Sequence, residues 1–250
     1  GVAPTVCRVN TTKVTEDELI NILADEGITA TKSDTINALV LSNASISESK
    51  AYTDGLFHIE DISAQNACFT LCPEPFDTVF DLCAAPGGKT FTMAQMMDNK
   101  GKILAFDLHE KRAGLIKSGA DRLGLTIIEA SAGNATVFNE EIGLADKVLC
   151  DVPCSGLGII RRKPEIKYKK SDEFLRLPQI QFNILTNASK YVKAGGVLVY
   201  STCTLSKAEN EEVVERFLES NSDFTLTFME TTFPQKLRDG FFTAKLERTK

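Results

Sequence analysis

Histidine is nearly missing from this chain of 250 residues, which has only two. Cys68 and Cys72 have no second pair of ligands to complete a tetrahedral site, so no zinc site is expected. Long apolar runs are missing as well. No stretch reaches the roughly 18 hydrophobic residues that a membrane-spanning helix needs, and Gly1 to Asn10 lacks the basic-then-apolar order of a secretory signal. A cytoplasmic, membrane-free protein is the expectation. An even set of cysteines is also lacking. The seven (Cys7, Cys68, Cys72, Cys83, Cys150, Cys154, Cys203) are scattered, which argues against a disulfide framework and for a reducing compartment. Nor is there an excess of positive charge. A net charge of -6 and a pI near 5.2 argue, taken as averages, against a nucleic-acid partner. No internal repeat and no low-complexity linker interrupts the chain.

What is present is an ordinary globular composition. With 43% hydrophobic and 25% charged residues, the chain can bury one substantial core and carry a smaller appendage. The stretch Asp77 to Thr90 organises the rest. Val79, Phe80 and Leu82 read as a short buried parallel strand, the small residues after them as a tight turn, and Thr90 onward as a helix. Gly87 and Gly88 let a backbone approach a ligand at the carboxyl end of such a strand. Asp107 ends a second strand, Lys102 to Asp107, at about the spacing at which these folds bind ribose hydroxyls. A nucleoside-containing cofactor is therefore expected here.

The alternation continues in both directions. Before Asp77, Thr15 to Glu18 form a capping box that opens a helix ended by Gly27, and strands are predicted over Ile28 to Thr31 and Thr35 to Leu41, with Ile36, Leu39 and Leu41 inward. After Asp107 the pattern predicts a helix over Glu110 to Leu123, strands over Leu125 to Glu129 and Lys147 to Asp151, and a helix from Pro178 to about Val192 with Ile180, Ile184, Leu185 and Ala188 on one side. A fifth strand over Val197 to Tyr200, a helix over Ala208 to Ser220 and two late strands complete a doubly wound α/β sheet. The entry at Gly1 predicts a fragment of a longer protein.

Two loops at strand ends carry thiols. Asp151-Val-Pro-Cys-Ser-Gly156 follows the fourth strand and Tyr200-Ser-Thr-Cys-Thr204 the fifth, so adjacent parallel strands would bring Cys154, Cys203 and Asp151 to one crevice. Buried cysteine is more often a small core residue, but thiols just past strand ends and beside an acid are placed for nucleophilic chemistry. Arg161 to Lys170 carries six basic residues against one acidic, with Tyr168 among them, a local footprint for phosphates and a stacked base.

These pieces in this order resemble the Nop/Sun family of RNA (cytosine-5) methyltransferases. The resemblance runs from about Arg8 to Glu247 and rests on Asp81 to Thr90, Asp151 to Gly156, Ile160 to Lys167, Ser201 to Thr204, Glu209 to Val214 and Asp239 to Phe242. It implies a Rossmann-like methyltransferase domain over residues 75–250 behind a small α+β RNA-binding region over 1–74, acting as a monomer. It implies S-adenosylmethionine (SAM) as cofactor, held by Cys83, Ala84, Ala85, Pro86, Gly87, Gly88, Lys89, Asp107, Arg112, Asn134 and Asp151. It implies a cytosine in folded RNA as substrate, 16S ribosomal RNA foremost. Cys203 matches the family nucleophile and Cys154 the cysteine that assists product release, with Asp151 and Lys89 beside them. Arg161, Arg162, Lys163, Lys167 and Tyr168 match the segment along the RNA. Asn134 departs from the family's usual aspartate and removes a charge from the adenine contact.

Three other readings stay open from the sequence: a DNA enzyme attacking through Cys154, a tRNA enzyme, and a SAM- and RNA-binding assembly factor without turnover. A further N-terminal RNA-binding module outside this chain would account for an acidic RNA enzyme.

Overall fold

The computed structural model describes residues 4–42, 46–168 and 174–250, so Lys169 and Lys170 of the basic run lie outside the described residues. The second half of the chain forms a seven-stranded sheet. Its parallel strands are β5 (Thr78–Asp81), β6 (Lys102–Asp107), β7 (Ile128–Ala132), β8 (Ala145–Asp151) and β9 (Val192–Thr202), followed by antiparallel β10 (Phe224–Thr232) and β11 (Phe241–Arg248). The order across the sheet is β10-β11-β9-β8-β5-β6-β7. Neighbouring residues of the central strands point to opposite faces and both are buried. Phe80, Val148 and Leu198 pack with Ile184, Leu185 and Phe217 on one side. Val79, Leu149 and Val199 pack with Met93, Ala94 and Ile116 on the other. Continuous apolar strands of this kind require helices on both faces. These are α4 (Gly88–Met96) and α5 (Glu110–Leu123) on one face, and α6 (Leu177–Ser189) and α7 (Glu211–Ser220) on the other. The result is the Rossmann-like α/β fold that the alternation predicts.

Ahead of it stands an antiparallel four-stranded sheet ordered β2-β3-β1-β4, built from β1 (Thr5–Val9), β2 (Thr29–Lys32), β3 (Ala38–Ser42) and β4 (Phe57–Ile59). Helix α1 (Glu16–Asp25) buries Leu19 and Leu23 against Cys7, Val9, Leu39 and Phe57. Its N-terminus carries the expected box, with Thr15 and Glu18 exchanging side-chain to backbone bonds. A short α2 (Lys50–Thr53) and α3 (Ile62–Leu71) follow, and α3 places Cys68 and Leu71 in the core of the large sheet. Asn10 ties the two sheets together, its Nδ2 donating to Gly55 O and to Leu123 O at 2.8 Å each.

Three local expectations are corrected. The strand expected over Leu125 to Glu129 begins three residues later. Gly124, at φ 73°, closes α5 and Leu125 N returns to Ala120 O, while the Asn99 side chain takes Thr126 N, so Leu125 and Thr126 are held by the cap and the loop before Ile127 O meets Ile103 N of β6. Ile36 is 70% exposed, because Asn37 adopts a left-handed turn (φ 59°) and β3 starts only at Ala38. Ile180 is 39% exposed, while Ile184, Leu185 and Ala188 are buried as expected.

Candidate active site

Four strand ends build one rim. At the end of β5 the chain turns through Leu82 to Gly87 and enters α4. Gly87 has φ 114°, and a Cβ there would lie 2.4 Å from the Phe91 ring, so the turn needs glycine for packing within the protein itself. A cleft of about 490 Å³ is lined here by Glu60, Asp81, Cys83, Ala84, Ala85, Pro86, Gly88, Lys89 and Asp151. A second cleft, lined by Leu82, Phe106, Gly133 and Asn134 among others, lies beyond the ends of β5 and β6. At the end of β6, Asp107 accepts from His109 N at 3.1 Å and pairs with Arg112 at 3.1 Å. Arg112 also donates to Ala85 O at 2.9 Å, so it clamps the glycine turn to the β6 end. Asn134 Oδ1 accepts from Thr136 N at 3.0 Å and is thereby turned into its own loop.

Asp151 ends β8. One oxygen receives Lys89 Nζ at 2.7 Å and the other Ser201 Oγ at 2.9 Å. Burial alone would lower the Lys89 ammonium, but Asp151 and Glu60 push it above its ordinary value. Lys89 therefore stays charged beside the carboxylate. Asp81 behaves differently. Burial, with Asp151 nearby, pushes its carboxyl up to about 7, although Thr90 Oγ1 donates to it at 2.7 Å.

This shift has a sign that can be measured. The folded-state value lies above the ordinary 3.8, so Asp81 contributes stability at low pH that is lost as pH rises through about 7. Between pH 5 and 8.5 this amounts to roughly 2–3 kcal/mol. Asp81→Asn removes that component and keeps an acceptor for Thr90. The Tm of the variant relative to wild type should therefore rise by several degrees from pH 5 to 8.5, and a constant difference across that range would contradict the assignment.

The thiols meet as the loop positions predict. Cys154 Sγ and Cys203 Sγ are 3.1 Å apart. A hydrogen bond from the Cys154 thiol, helped by the charges of Lys89 and Lys163, brings Cys203 below the usual thiol range against the effect of burial. The same hydrogen bond, together with burial, pushes Cys154 well up. The two shifts run in opposite directions, so Cys203 is the sulfur that ionises more readily and Cys154 the one that holds its proton.

Two residues quoted for their motif alone turn out to set this geometry. Glu209 accepts from Ser155 N at 2.9 Å and Gln181 Nε2 at 3.0 Å, fixing the Cys154 loop. Asn210 accepts from Thr202 Oγ1 at 2.6 Å and donates to Thr204 O at 3.1 Å, bracing both sides of Cys203. Ser155 Oγ and Thr204 Oγ1, 2.7 Å apart, close the gap between the loops. Gly158 N donates to Cys203 O at 3.0 Å, and a Cβ on Gly158 would lie 2.1 Å from Gly240 O. Only glycine fits between the Cys203 loop and the entry to β11.

Residues 68–247 match the family described as 16S rRNA methyltransferase RsmB/F. The chain belongs to the RsmB/F family. A Bacillus subtilis (strain 168) relative named "Probable ribosomal RNA small subunit methyltransferase B" is 43% identical over 239 residues, covering 92% of this chain and 53% of that protein. A human relative, the 28S rRNA (cytosine(4447)-C(5))-methyltransferase, is 32% identical over 98% of this chain and 34% of its own length. The chain thus spans about half of the first of these relatives and a third of the second. Among solved structures, a methyltransferase homolog protein from Pyrococcus horikoshii superposes with a TM-score of 0.83 at 28% identity, covering 99% of this chain and 87% of that one. NSun6 from the same organism, solved with SFG, shares the fold at a TM-score of 0.91 and 23% identity, over 100% of this chain and 91% of that one.

The RsmB/F motifs account for the thiol loops and the glycine turn, but sequence reasoning missed Glu60. Its carboxylate comes from the short link between β4 and α3 and reaches the large sheet's glycine turn. The basic segment also divides. Arg161 and Arg162 turn inward to Asp239, and Arg162 also bonds Asp61 at 2.9 Å. Lys163, Lys167 and Tyr168 remain on the surface, Tyr168 being 87% exposed.

Proposed function

We propose that this chain transfers a methyl group from SAM to C5 of a cytosine in RNA, through a covalent adduct of Cys203 at C6, and that the target is 16S rRNA. The observation that carries this reading is the polarised sulfur pair at 3.1 Å beside Asp151. Cytosine C5 is a weak nucleophile until a bond at C6 pushes electron density onto it, and a thiolate is the side chain suited to that addition.

The two clefts flanking Cys83 and Ala84 fit the cofactor, because among the described residues the buried oxygens Glu60 Oε1 and Asp81 Oδ1 lack partners and would meet its cationic end. Residues Cys83 to Gly88, Asp107 and Arg112 would hold it, with Gly133 and Asn134 at the base. When bound, SAM supplies an electrophilic methyl group and leaves as the neutral thioether. Cys203 Sγ forms the bond to C6, and the C5–C6 π pair moves toward C5. Asp151, held by Lys89 and Ser201, accepts a hydrogen bond from the exocyclic amine and so fixes the orientation of the ring, while the Lys89 ammonium beside it offsets the negative charge that the added thiolate brings.

After C5 is methylated, its proton must leave before the S–C6 bond can break. Once Cys203 is a thioether, Cys154 no longer donates to a thiolate. Its own proton passes to solvent, and its sulfur then takes the C5 proton as the C5–C6 double bond re-forms and Cys203 departs. Lys163, whose charge acts on Cys203, together with Lys167 and Tyr168, would receive the RNA, with Tyr168 stacking on a base. The small N-terminal region and a module outside this chain would add affinity for folded RNA, with the protein acting as a monomer.

Cys154→Ala should accumulate the adduct. With RNA and SAM present, a slowly migrating protein–RNA species should appear on a denaturing gel, and adding Cys203→Ala should remove it. No such species with a methylatable RNA would assign release to another group.

A further inference from the structure

Glu60 holds one buried carboxylate oxygen, Oε1, with which no cation among the described residues pairs. Its backbone N donates to Val6 O at 3.1 Å beside β4, and its side chain is buried, 4% exposed. Oε2 receives Thr92 Oγ1 and lies 3.4 Å from His58 Nε2, but Oε1 has no hydrogen-bond partner among the described residues. Glu60 lines the same cleft as Ala84, Ala85, Pro86, Gly88 and Lys89. Burial would raise this carboxyl, yet the hydrogen bond from His58 and the charges of His58 and Lys89 bring it below its ordinary value, so it is ionised. A Cβ at Gly88 would stand 3.0 Å from Oε1, so the glycine that begins α4 keeps the approach to this oxygen open.

The charge balance of the cleft points the same way. Glu60 and Asp151 line it against one ammonium, Lys89, which is already bonded to Asp151 at 2.7 Å, and His58 meets Glu60 through Oε2 and not Oε1. A buried carboxylate oxygen without a donor costs free energy until one arrives. The methionine end of SAM carries two positive groups, a sulfonium that has no proton to donate and an α-ammonium with three.

We infer that Glu60 Oε1 accepts a hydrogen bond from the α-ammonium group of the cofactor's methionine moiety, and that Glu60 is thereby a cofactor-selecting residue. This rests on the SAM reading above. The α-carboxylate cannot share the position, because like charges would face each other in a buried site.

The test is calorimetric binding of S-adenosylhomocysteine and of its analogue lacking the α-amino group, to wild type and to Glu60→Gln. A charge-assisted hydrogen bond is worth about 1.5–3 kcal/mol, or roughly 10- to 100-fold in Kd. Wild type should prefer the amino-bearing ligand by roughly that factor. Glu60→Gln should lose most of that preference, weakening the amino-bearing ligand roughly 10- to 100-fold and the deaminated one by less than about threefold. Equal weakening of both ligands would reduce Glu60 to a support for Lys89 and overturn the inference, as would a wild-type ratio near one. Wild-type protein that binds neither ligand would instead overturn the cofactor reading itself. Should Glu60→Gln not fold, Glu60→Asp keeps the charge but withdraws the oxygen by one methylene, and the same selective loss is expected.

Discussion

Cys203→Ala is expected to reduce methyl transfer to RNA by at least about 10⁴-fold while leaving cofactor affinity unchanged. The size follows from the role. Without a sulfur bonded to C6 there is no route for electron density to reach C5, and the remaining groups only bind and orient. Cys154 cannot substitute by moving in. Its loop is fixed by Ser155 N on Glu209 and by the Ser155–Thr204 contact, so its sulfur keeps its distance from the position that Cys203 leaves. Cofactor binding should survive because the cleft lined by the glycine turn, Lys89 and Asp151 does not include Cys203. Tritiated-methyl incorporation into RNA gives the activity, and calorimetry with S-adenosylhomocysteine gives the binding. Residual activity near wild type would place the nucleophile elsewhere. Lost cofactor affinity would show that the thiol loops and the cofactor cleft are coupled.

That site was readable in the sequence because strand ends in a parallel sheet are neighbours whatever the distance along the chain. Cys154 and Cys203 follow β8 and β9, which pair in parallel with Asp151 opposite Ser201, so their meeting follows from topology alone. The polarity of the pair came from the family resemblance and not from the strand pattern, since it depends on the hydrogen bond between the two sulfurs and then on the charges of Lys89 and Lys163. Glu60 was invisible for a related reason. It is one acidic residue between a three-residue strand and a helix whose apolar residues lie on every side, a pattern without a period to mark it. Its partner Thr92 is 32 residues away and its function depends on an oxygen left unbonded. The misplaced β7 and the exposed Ile36 have local causes, a helix cap and a left-handed turn that use backbone the propensities assign to strands.

The basic segment divides between the fold and the surface, and Asp239→Ala tests that division with the largest expected effect on stability. Arg161 and Arg162 read as phosphate ligands, but each side chain places its Nε on one oxygen of Asp239, which is 2% exposed. Arg161 also donates to Gln235 O at 2.6 Å and Arg162 to Pro4 O at 3.1 Å. Asp61, which caps α3 through Ser63 N at 2.8 Å, bonds Arg162 and accepts Asp239 N at 3.3 Å. One carboxylate thus fastens the start of β1, the cap of α3, the segment after the Cys154 loop and the entry to β11. Removing it leaves the partly desolvated Arg161 without a charge partner and Arg162 with Asp61 alone, and breaking a buried pair from one side costs about 3–5 kcal/mol. For a chain of this length that is a fall in Tm of roughly 6–20 °C. Asp239→Asn keeps an acceptor and should fall between. Arg161→Ala and Arg162→Ala should likewise lower the Tm, with no loss of RNA affinity beyond what partial unfolding explains, whereas Lys163→Ala and Lys167→Ala should weaken RNA binding and reduce its salt dependence by about one ion each at unchanged Tm. A Tm for Asp239→Ala within about 2 °C of wild type would show that the two arginines are free to serve the RNA after all.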